Sequence, residues 1–220
     1  MLYPFEEEKN LGALVMLGGD APGGSGAERI RRLAQGVPPP LLVAADRGAD
    51  HLAALGLWPD IILGDQDSQA GDYPGVARVD FPAAKNFTDG AAALDYAARE
   101  TGGLVGVAGA LGGRTDHLLG NLLAPLDLAA DLRRWLLLGD DFTGAYSIGR
   151  CRIQGAPGQM VSLIPLSGQV EGICLEGLAY PLTEETLNLG SSRALSNVLL
   201  GETGWIRHKN GILLVIHFDE

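Results

Sequence analysis

The feature that most constrains this chain is an alternation, through its first two-thirds, of short β-rich apolar runs with helical patterns. Leu11–Leu17, Leu41–Ala45, Asp60–Leu63, Ala77–Phe81, Leu104–Ala108 and Trp135–Leu138 read as strands. Between them, Ala27–Gln35, Gly48–Leu55, Thr88–Thr101 and Thr115–Leu128 read as helices. Thr88–Thr101 is the clearest: Ala91, Leu94, Asp95 and Ala98 keep helical spacing, and Gly102-Gly103 follows as a terminator. Ser25 stands near enough to cap the first helix. The β-α-β-α order predicts an α/β fold built on a Rossmann-like, mainly parallel, doubly wound sheet. In such sheets ligands sit beyond the carboxyl ends of the strands. Chemistry is therefore expected just after the apolar runs.

The texture changes near residues 140–155. Beyond Gly155-Ala156-Pro157-Gly158 the helical patterns stop, and short runs recur at Met160–Ile164, Val170–Leu175, Thr186–Leu189, Trp205–His208 and Ile212–Phe218. Asn210-Gly211, between the last two, is a hairpin signal. The expectation is an α/β domain over residues 1–145 and a small antiparallel β-sandwich domain over 146–220.

Composition narrows the function. A chain of 220 residues, 46% hydrophobic and 20% charged, can bury a sizeable core. Its 32 glycines cluster at the ends of apolar runs, where turns and close ligand approach use them. The formal net charge of -11 repels phosphate backbones, so no nucleic-acid partner is expected. A polyphosphate ligand would need bound metal or local Lys and Arg residues. Cys151 and Cys174 form no CxxC and read as buried thiols in a reducing compartment. The segment MLYPFEEEKN has no signal-peptide core, and no apolar run approaches the ~20 residues of a membrane span. A soluble, cytoplasmic protein without a membrane partner is expected.

Four aspartates stand at predicted strand-to-loop or loop-to-helix junctions. Asp46 follows the second strand, Asp65 and Asp67 follow the third as GDQDS, and Asp89 opens the Ala-rich helix beside Thr88. Any one alone reads best as a turn or cap residue. Four at one sheet edge point instead to hard oxygen ligands for Mg²⁺, which also binds waters and substrate phosphates. Asp65 and Asp67 converge only if the chain turns between them, as Gly64 permits. A second signal is Gly109-Ala110-Leu111-Gly112-Gly113-Arg114-Thr115-Asp116-His117, a glycine-rich link from strand to helix. Its glycines admit a phosphate, the helix start offers free N–H groups, and Arg114 adds a cationic fork. Lys85 lies just ahead of Thr88-Asp89 and can neutralise a phosphate. There is no GxxxxGK[ST] and no complete GxGxxG, although Gly18-Gly19 and Gly23-Gly24 follow the first strand. His51, His208 and His217 lack paired ligand spacing and read as core or surface residues.

Together these segments resemble the thiamine pyrophosphokinase family. The resemblance rests on Ala45-Asp46-Arg47-Gly48-Ala49, on LGLWPDIILGDQDS from Leu55 to Ser68, and on Lys85-Asn86-Phe87-Thr88-Asp89. It continues through Gly109 to His117 with Asn121 a helical turn on, Gly177 to Leu182, and Ser196-Asn197. It implies a nucleotide-binding catalytic α/β domain followed by a thiamine-binding β-sandwich, in a homodimer with active sites at the subunit interface. The implied activity is diphosphate transfer from ATP, as co-substrate, to the hydroxyl of thiamine, with AMP as the other product. By the same resemblance Asp46, Asp65, Asp67 and Asp89 belong to the magnesium and diphosphate site, with Asp65, Asp67 and Asp89 as metal ligands. Lys85 and Thr88 would contact ATP, and Arg114 and Asp116 would lie near the transferring phosphates. Tyr180, Ser196 and Asn197 would approach the thiamine rings. Asp67 is the aspartate expected to orient the hydroxyl proton. Arg47 replaces a small residue of the family pattern, Asn86 an acidic one, and Tyr180 the Trp of eukaryotic relatives. These departures keep open a related diphosphokinase acting on another heterocyclic alcohol, such as a pterin, and a non-catalytic thiamine or nucleotide sensor.

Overall fold

The computed structural model describes residues 11–64, 71–82, 85–128 and 131–220. They fall into two compact units that part between Asp140 and Asp141. The division comes earlier than the boundary read from the sequence, because residues 142–147 already form a strand paired within the second unit.

The first unit holds strands β1 (Leu11–Met16), β2 (Leu41–Ala45), β3 (Ile61–Gly64), β4 (Ala77–Asp80), β5 (Leu104–Ala108) and β6 (Trp135–Leu138). Its helices are α1 (Gly24–Ala34), α2 (Gly48–Ala54), α3 (Asp89–Glu100) and α4 (Thr115–Asp127). Every strand pair is parallel, in the order β6-β5-β1-β2-β3-β4. The chain winds outward from β1 to β4, returns to β5 on the other side of β1, and ends on β6. The switch point, where a doubly wound sheet opens its ligand crevice, therefore lies at β1 and β5. β3, β5 and β6 are buried at every position, as strands covered on both faces must be. This burial is why they read as unbroken apolar runs.

Local chemistry sets the helix ends. Thr88 caps α3, its Oγ1 accepting from Ala91 N at 3.1 Å. Ala93, Leu94 and Ala97 form the buried stripe of that helix. At its other end, the Arg134 guanidinium donates to the carbonyls of Ala98, Thr101 and Gly103, placing a cation at the negative helix terminus. The cap of α1 differs from the sequence expectation. Ser25 lies inside the helix, and its hydroxyl donates to Asp140 O. Asp140 Oδ1 accepts from Gly23 N at 3.0 Å, so a residue distant in sequence performs the capping.

The second unit contains β7 (Phe142–Ser147), β8 (Arg150–Gln154), β9 (Met160–Pro165), β10 (Gln169–Glu176), β11 (Glu185–Asn188), β12 (Asn197–Val198), β13 (Thr203–Arg207) and β14 (Leu213–Phe218). Antiparallel pairing gives the orders β12-β9-β14-β7 and β11-β10-β13-β8. Val161, Leu163 and Val215 of the first sheet and Ile153, Ile173 and Ile206 of the second are fully buried. The hairpin read from Asn210-Gly211 does not form. β13 pairs with β8 and β10, whereas β14 pairs with β7 and β9, so this turn carries the chain from one sheet to the other. Gly211, at φ +88°, lies so close to the Gln169 carbonyl that a Cβ would stand 2.4 Å from the oxygen. Asn210 bridges to Glu171 of β10. Among the described residues no helix is long and apolar enough to cross a membrane.

The same corner buries His208. Its Nδ1 faces Asn210 O at 3.1 Å, which places the ring proton there. Nε2 then accepts from Gly149 N at 2.9 Å and faces the Ser147 hydroxyl at 3.0 Å. Burial lowers its pKa below the ordinary value of 6.5. A neutral imidazole is thus built into the fold, and the unfolded chain binds the proton more readily. Its contribution is present above pH ~6.5 and is lost as pH falls through the lowered folded value. The urea-unfolding stability gap between wild type and His208→Gln should therefore narrow as pH is lowered from 7.5 to 5. A gap that does not change with pH would refute this account.

Candidate active site

The carboxyl ends of β1, β2 and β5 and the heads of α3 and α4 enclose a cleft of about 480 Å³. Its floor depends on two glycine loops held side by side at the switch point. Leu17 N donates to Ala108 O at 2.9 Å, Gly19 N to Gly109 O at 2.9 Å, and Asp20 N to Leu111 O at 2.8 Å. Loops joined this way leave no room for side chains. A Cβ on Gly19 would lie 2.2 Å from Leu111 O, and one on Gly109 would lie 2.3 Å from Leu17 O.

Two of the four expected aspartates meet at the end of β3. Asp46 follows β2 in the left-handed region, φ +50°, which aspartate tolerates better than most residues. Its amide donates to Leu63 O at 3.2 Å. Asp89 opens α3 and lines the same cleft. Both carboxylates lie against the bare Cα of Gly64. A Cβ there would stand 2.2 Å from Asp46 Oδ1 and 3.5 Å from Asp89 Cγ. Gly64 also has φ +146°, a backbone that side-chain-bearing residues avoid. Asp65 and Asp67 lie outside the described residues. Among the described residues no three metal-ligating side chains form a group.

Because Thr88 caps α3, the Asp89 carboxylate is available to Lys85, whose Nζ sits 2.5 Å from Oδ1. The pair is largely buried, with side chains 10% and 13% exposed. The Lys85 ammonium also lies 5.2 Å from the Phe81 ring centroid and 6.0 Å from that of Phe87, two rings packed edge to face. These contacts are attractive and fix where the cation sits. Thr88 lines the cleft while acting as cap.

The β5–α4 loop turns through Gly109, Gly112 and Gly113, all at positive φ, and delivers Arg114 to the cleft. Arg114 grips Asp116 with two hydrogen bonds, Nε to Oδ1 at 3.1 Å and Nη2 to Oδ2 at 2.6 Å. That bidentate contact raises the Arg114 pKa and holds Asp116 at about 2. Both side chains are well exposed, and Asp116 faces its partner arginine from outside the cleft wall. Asn121 ties α4 to the loop through Ala110 O at 3.4 Å, and a Cβ on Gly90 would stand 3.1 Å from its Oδ1.

Sequence reasoning gave no site role to Phe87, Gly90 or Asn121, all of which line the cleft. The signal was present for Gly90, since a glycine directly after a helix-opening Thr-Asp pair has no local reason to be there. Arg47, named in the sequence as a position where the resemblance departs, forms part of the wall. Its Nη2 donates to Gly18 O and Gly19 O, each at 3.2 Å. His51, expected as a plain core or surface residue, donates from Nε2 to Gly19 O at 3.0 Å.

The remaining expected residues lie in the second unit. Tyr180 presents its side chain to solvent, 66% exposed. Asn197 is buried and embraces the Tyr180 backbone, accepting from Tyr180 N at 3.0 Å and donating to Tyr180 O at 2.8 Å. Ser196 sits at φ +55°, and its amide donates to Ser162 Oγ at 3.0 Å.

Comparisons with known proteins agree with this layout. Residues 38–132 match the model of the thiamin pyrophosphokinase catalytic domain, and residues 150–213 match that of the thiamin pyrophosphokinase vitamin B1 binding domain. A thiamine pyrophosphokinase of Bacillus subtilis (strain 168) is 28% identical over 184 residues, covering 80% of this chain and 86% of that protein. The crystal structure of a thiamin pyrophosphokinase from Geobacillus thermodenitrificans superposes with a TM-score of 0.80 at 26% identity, covering 94% of this chain and 97% of that one. The Candida albicans enzyme shares the fold, with a TM-score of 0.78 at 18% identity over 98% of this chain and 92% of that one. With a catalytic-domain match on the unit that holds the cleft and a vitamin-binding match on the unit that follows it, the chain belongs to the thiamin pyrophosphokinase family.

Proposed function

We infer that this protein is a thiamine diphosphokinase, which transfers the diphosphate of ATP to the hydroxyl of thiamine and releases AMP. The observation that carries the reading is the coincidence of the catalytic-domain match with the cleft in which Asp46, Asp89, Lys85 and Arg114 converge. The thiamine hydroxyl oxygen bonds to the β-phosphorus. The bond from that phosphorus to the α–β bridging oxygen breaks, AMP keeps the electron pair, and the hydroxyl proton is released.

For such a reaction the protein supplies position and charge. The glycine loops after β1 and β5 leave room for phosphates against the backbone, and the start of α4 offers N–H donors. Lys85 and Arg114 offset charge on the transferring group. Arg114 can exchange Asp116 for a phosphate at little cost, because an exposed ion pair is screened by water and contributes little to stability. Paired hard-oxygen donors over the bare Gly64 fit Mg²⁺, with Asp65 and Asp67 from the following segment completing the set. When bound, the metal neutralises and orients the phosphates. Asp67 orients the hydroxyl proton. Tyr180 offers an exposed ring to stack on a cationic or pyrimidine heterocycle, and Asn197 fixes the backbone that carries it.

A homodimer with the site at its interface accords with the family resemblance. The exposed Leu119 and Leu123 on α4 give a second copy an apolar face to cover.

Purified protein given ATP, Mg²⁺ and thiamine should produce AMP and thiamine diphosphate in equal amounts. No product beside an active control enzyme would refute the reading, and AMP release only with a pterin alcohol would move the acceptor. Gly64→Ala drives a methyl group into the Asp46 carboxylate. It should destabilise the fold by about 1–3 kcal/mol and raise the Mg²⁺ concentration for half-maximal activity at least about tenfold, the span of 1.4 kcal/mol. An unchanged Mg²⁺ requirement in that variant would separate Asp46 and Asp89 from the metal.

A further inference from the structure

We propose that Arg47 binds the polyphosphate of the nucleoside triphosphate and sets selectivity for the triphosphate over the monophosphate. The proposal deepens the diphosphate-transfer reading and rests on it.

Among the described residues, three side chains bring full positive charge to the cleft: Arg47, Lys85 and Arg114. Lys85 faces Asp89 at 2.5 Å, and Arg114 is chelated by Asp116. Arg47 differs from both. Among the described residues its hydrogen-bond partners are the carbonyls of Gly18 and Gly19, which carry no net charge. Both bonds come from Nη2, so Nε and Nη1 keep their protons for a ligand. The side chain is exposed at the cleft while one nitrogen anchors it, so the fork is held in place before any ligand arrives. Preorganisation of this kind lowers the entropy lost on binding.

Charge determines the ligand. In a chain of net charge -11, with Asp46 and Asp89 in the same cleft, an arginine that has no carboxylate partner among the described residues is the cation there most available to an anion. A positively charged thiazolium is repelled by it, so Arg47 belongs to the nucleotide half of the site. Its anchor points are the loop that ends β1, the strand at the switch point where nucleotides bind in doubly wound sheets.

The test separates charge from loop geometry. Arg47→Gln keeps an amide donor for the two carbonyls and removes the charge, whereas Arg47→Lys keeps the charge. Binding of α,β-methylene ATP and of AMP is measured by calorimetry with Mg²⁺ and without thiamine, and KM is measured for ATP and thiamine. Loss of one charge-assisted contact should weaken analogue binding by about ten- to a hundredfold in Arg47→Gln. AMP affinity and the KM for thiamine should stay within about twofold, the scale of a few tenths of a kcal/mol. Arg47→Lys should recover part of the analogue affinity. The proposal fails if Arg47→Gln binds the analogue as wild type does, if AMP and the analogue weaken equally, or if Arg47→Lys recovers nothing. Wild type that binds the analogue through Arg47 but makes no thiamine diphosphate would refute the acceptor assignment and leave this proposal standing.

Discussion

The site depends on the backbone seam between the loops that follow β1 and β5. Three amide-to-carbonyl bonds hold Leu17, Gly19 and Asp20 against Ala108, Gly109 and Leu111. That seam turns the Gly18 and Gly19 carbonyls toward α2, where Arg47 and His51 collect them. It also sets the path by which the β5–α4 loop reaches Arg114. Gly19 and Gly109 each leave no space for a methyl group at the seam, so the two loops are mutually dependent. One substitution there would displace both walls of the cleft.

The cleft resolves the problem posed by an acidic chain that binds a polyphosphate. Two of its cations arrive with counterions, but the pairs differ in burial. Lys85 and Asp89 are almost enclosed and packed beside two phenylalanine rings, so separating them leaves charges with little water to turn to. Arg114 and Asp116 lie in solvent, where ions are easily rehydrated. The lysine is thus a fixed element of the floor, and the arginine is a contact that can be exchanged at the rim.

How much of this was legible in the sequence follows from the range of the interactions involved. Most of the parallel sheet is readable because strands such as β3, β5 and β6 are buried along their whole length and so appear as apolar runs. Asp46 is readable as a cleft position because it stands just past such a run, and Lys85, Asp89 and Arg114 because they stand where a loop opens a helix. The errors came where the partner is distant in sequence. Ser25 has the composition of a cap, but Asp140 performs that role. Asn210-Gly211 has the composition of a hairpin turn, yet it joins strands of different sheets. β7 and β8 went unnamed because their apolar positions alternate only weakly and their pairing is with β14 and β13, far along the chain. Local chemistry identifies a turn, and only the long-range pairing decides what the turn connects.

The same distinction applies to motif residues. Ser196-Asn197 was selected as a pair expected to approach the thiamine rings. In the fold, Asn197 is buried, with its carbonyl oxygen on the amides of Tyr180 and Val198 and its amide nitrogen on Tyr180 O. Those bonds define the shape of the segment that exposes the Tyr180 ring. An asparagine suits this role because it offers donor and acceptor from one planar group, which Asp and Leu of similar size cannot do. A motif position can therefore be tightly constrained by the backbone it holds. Arg47 is the converse case: its role is not assigned by the motif reading, and its guanidinium stands in the wall of the cleft.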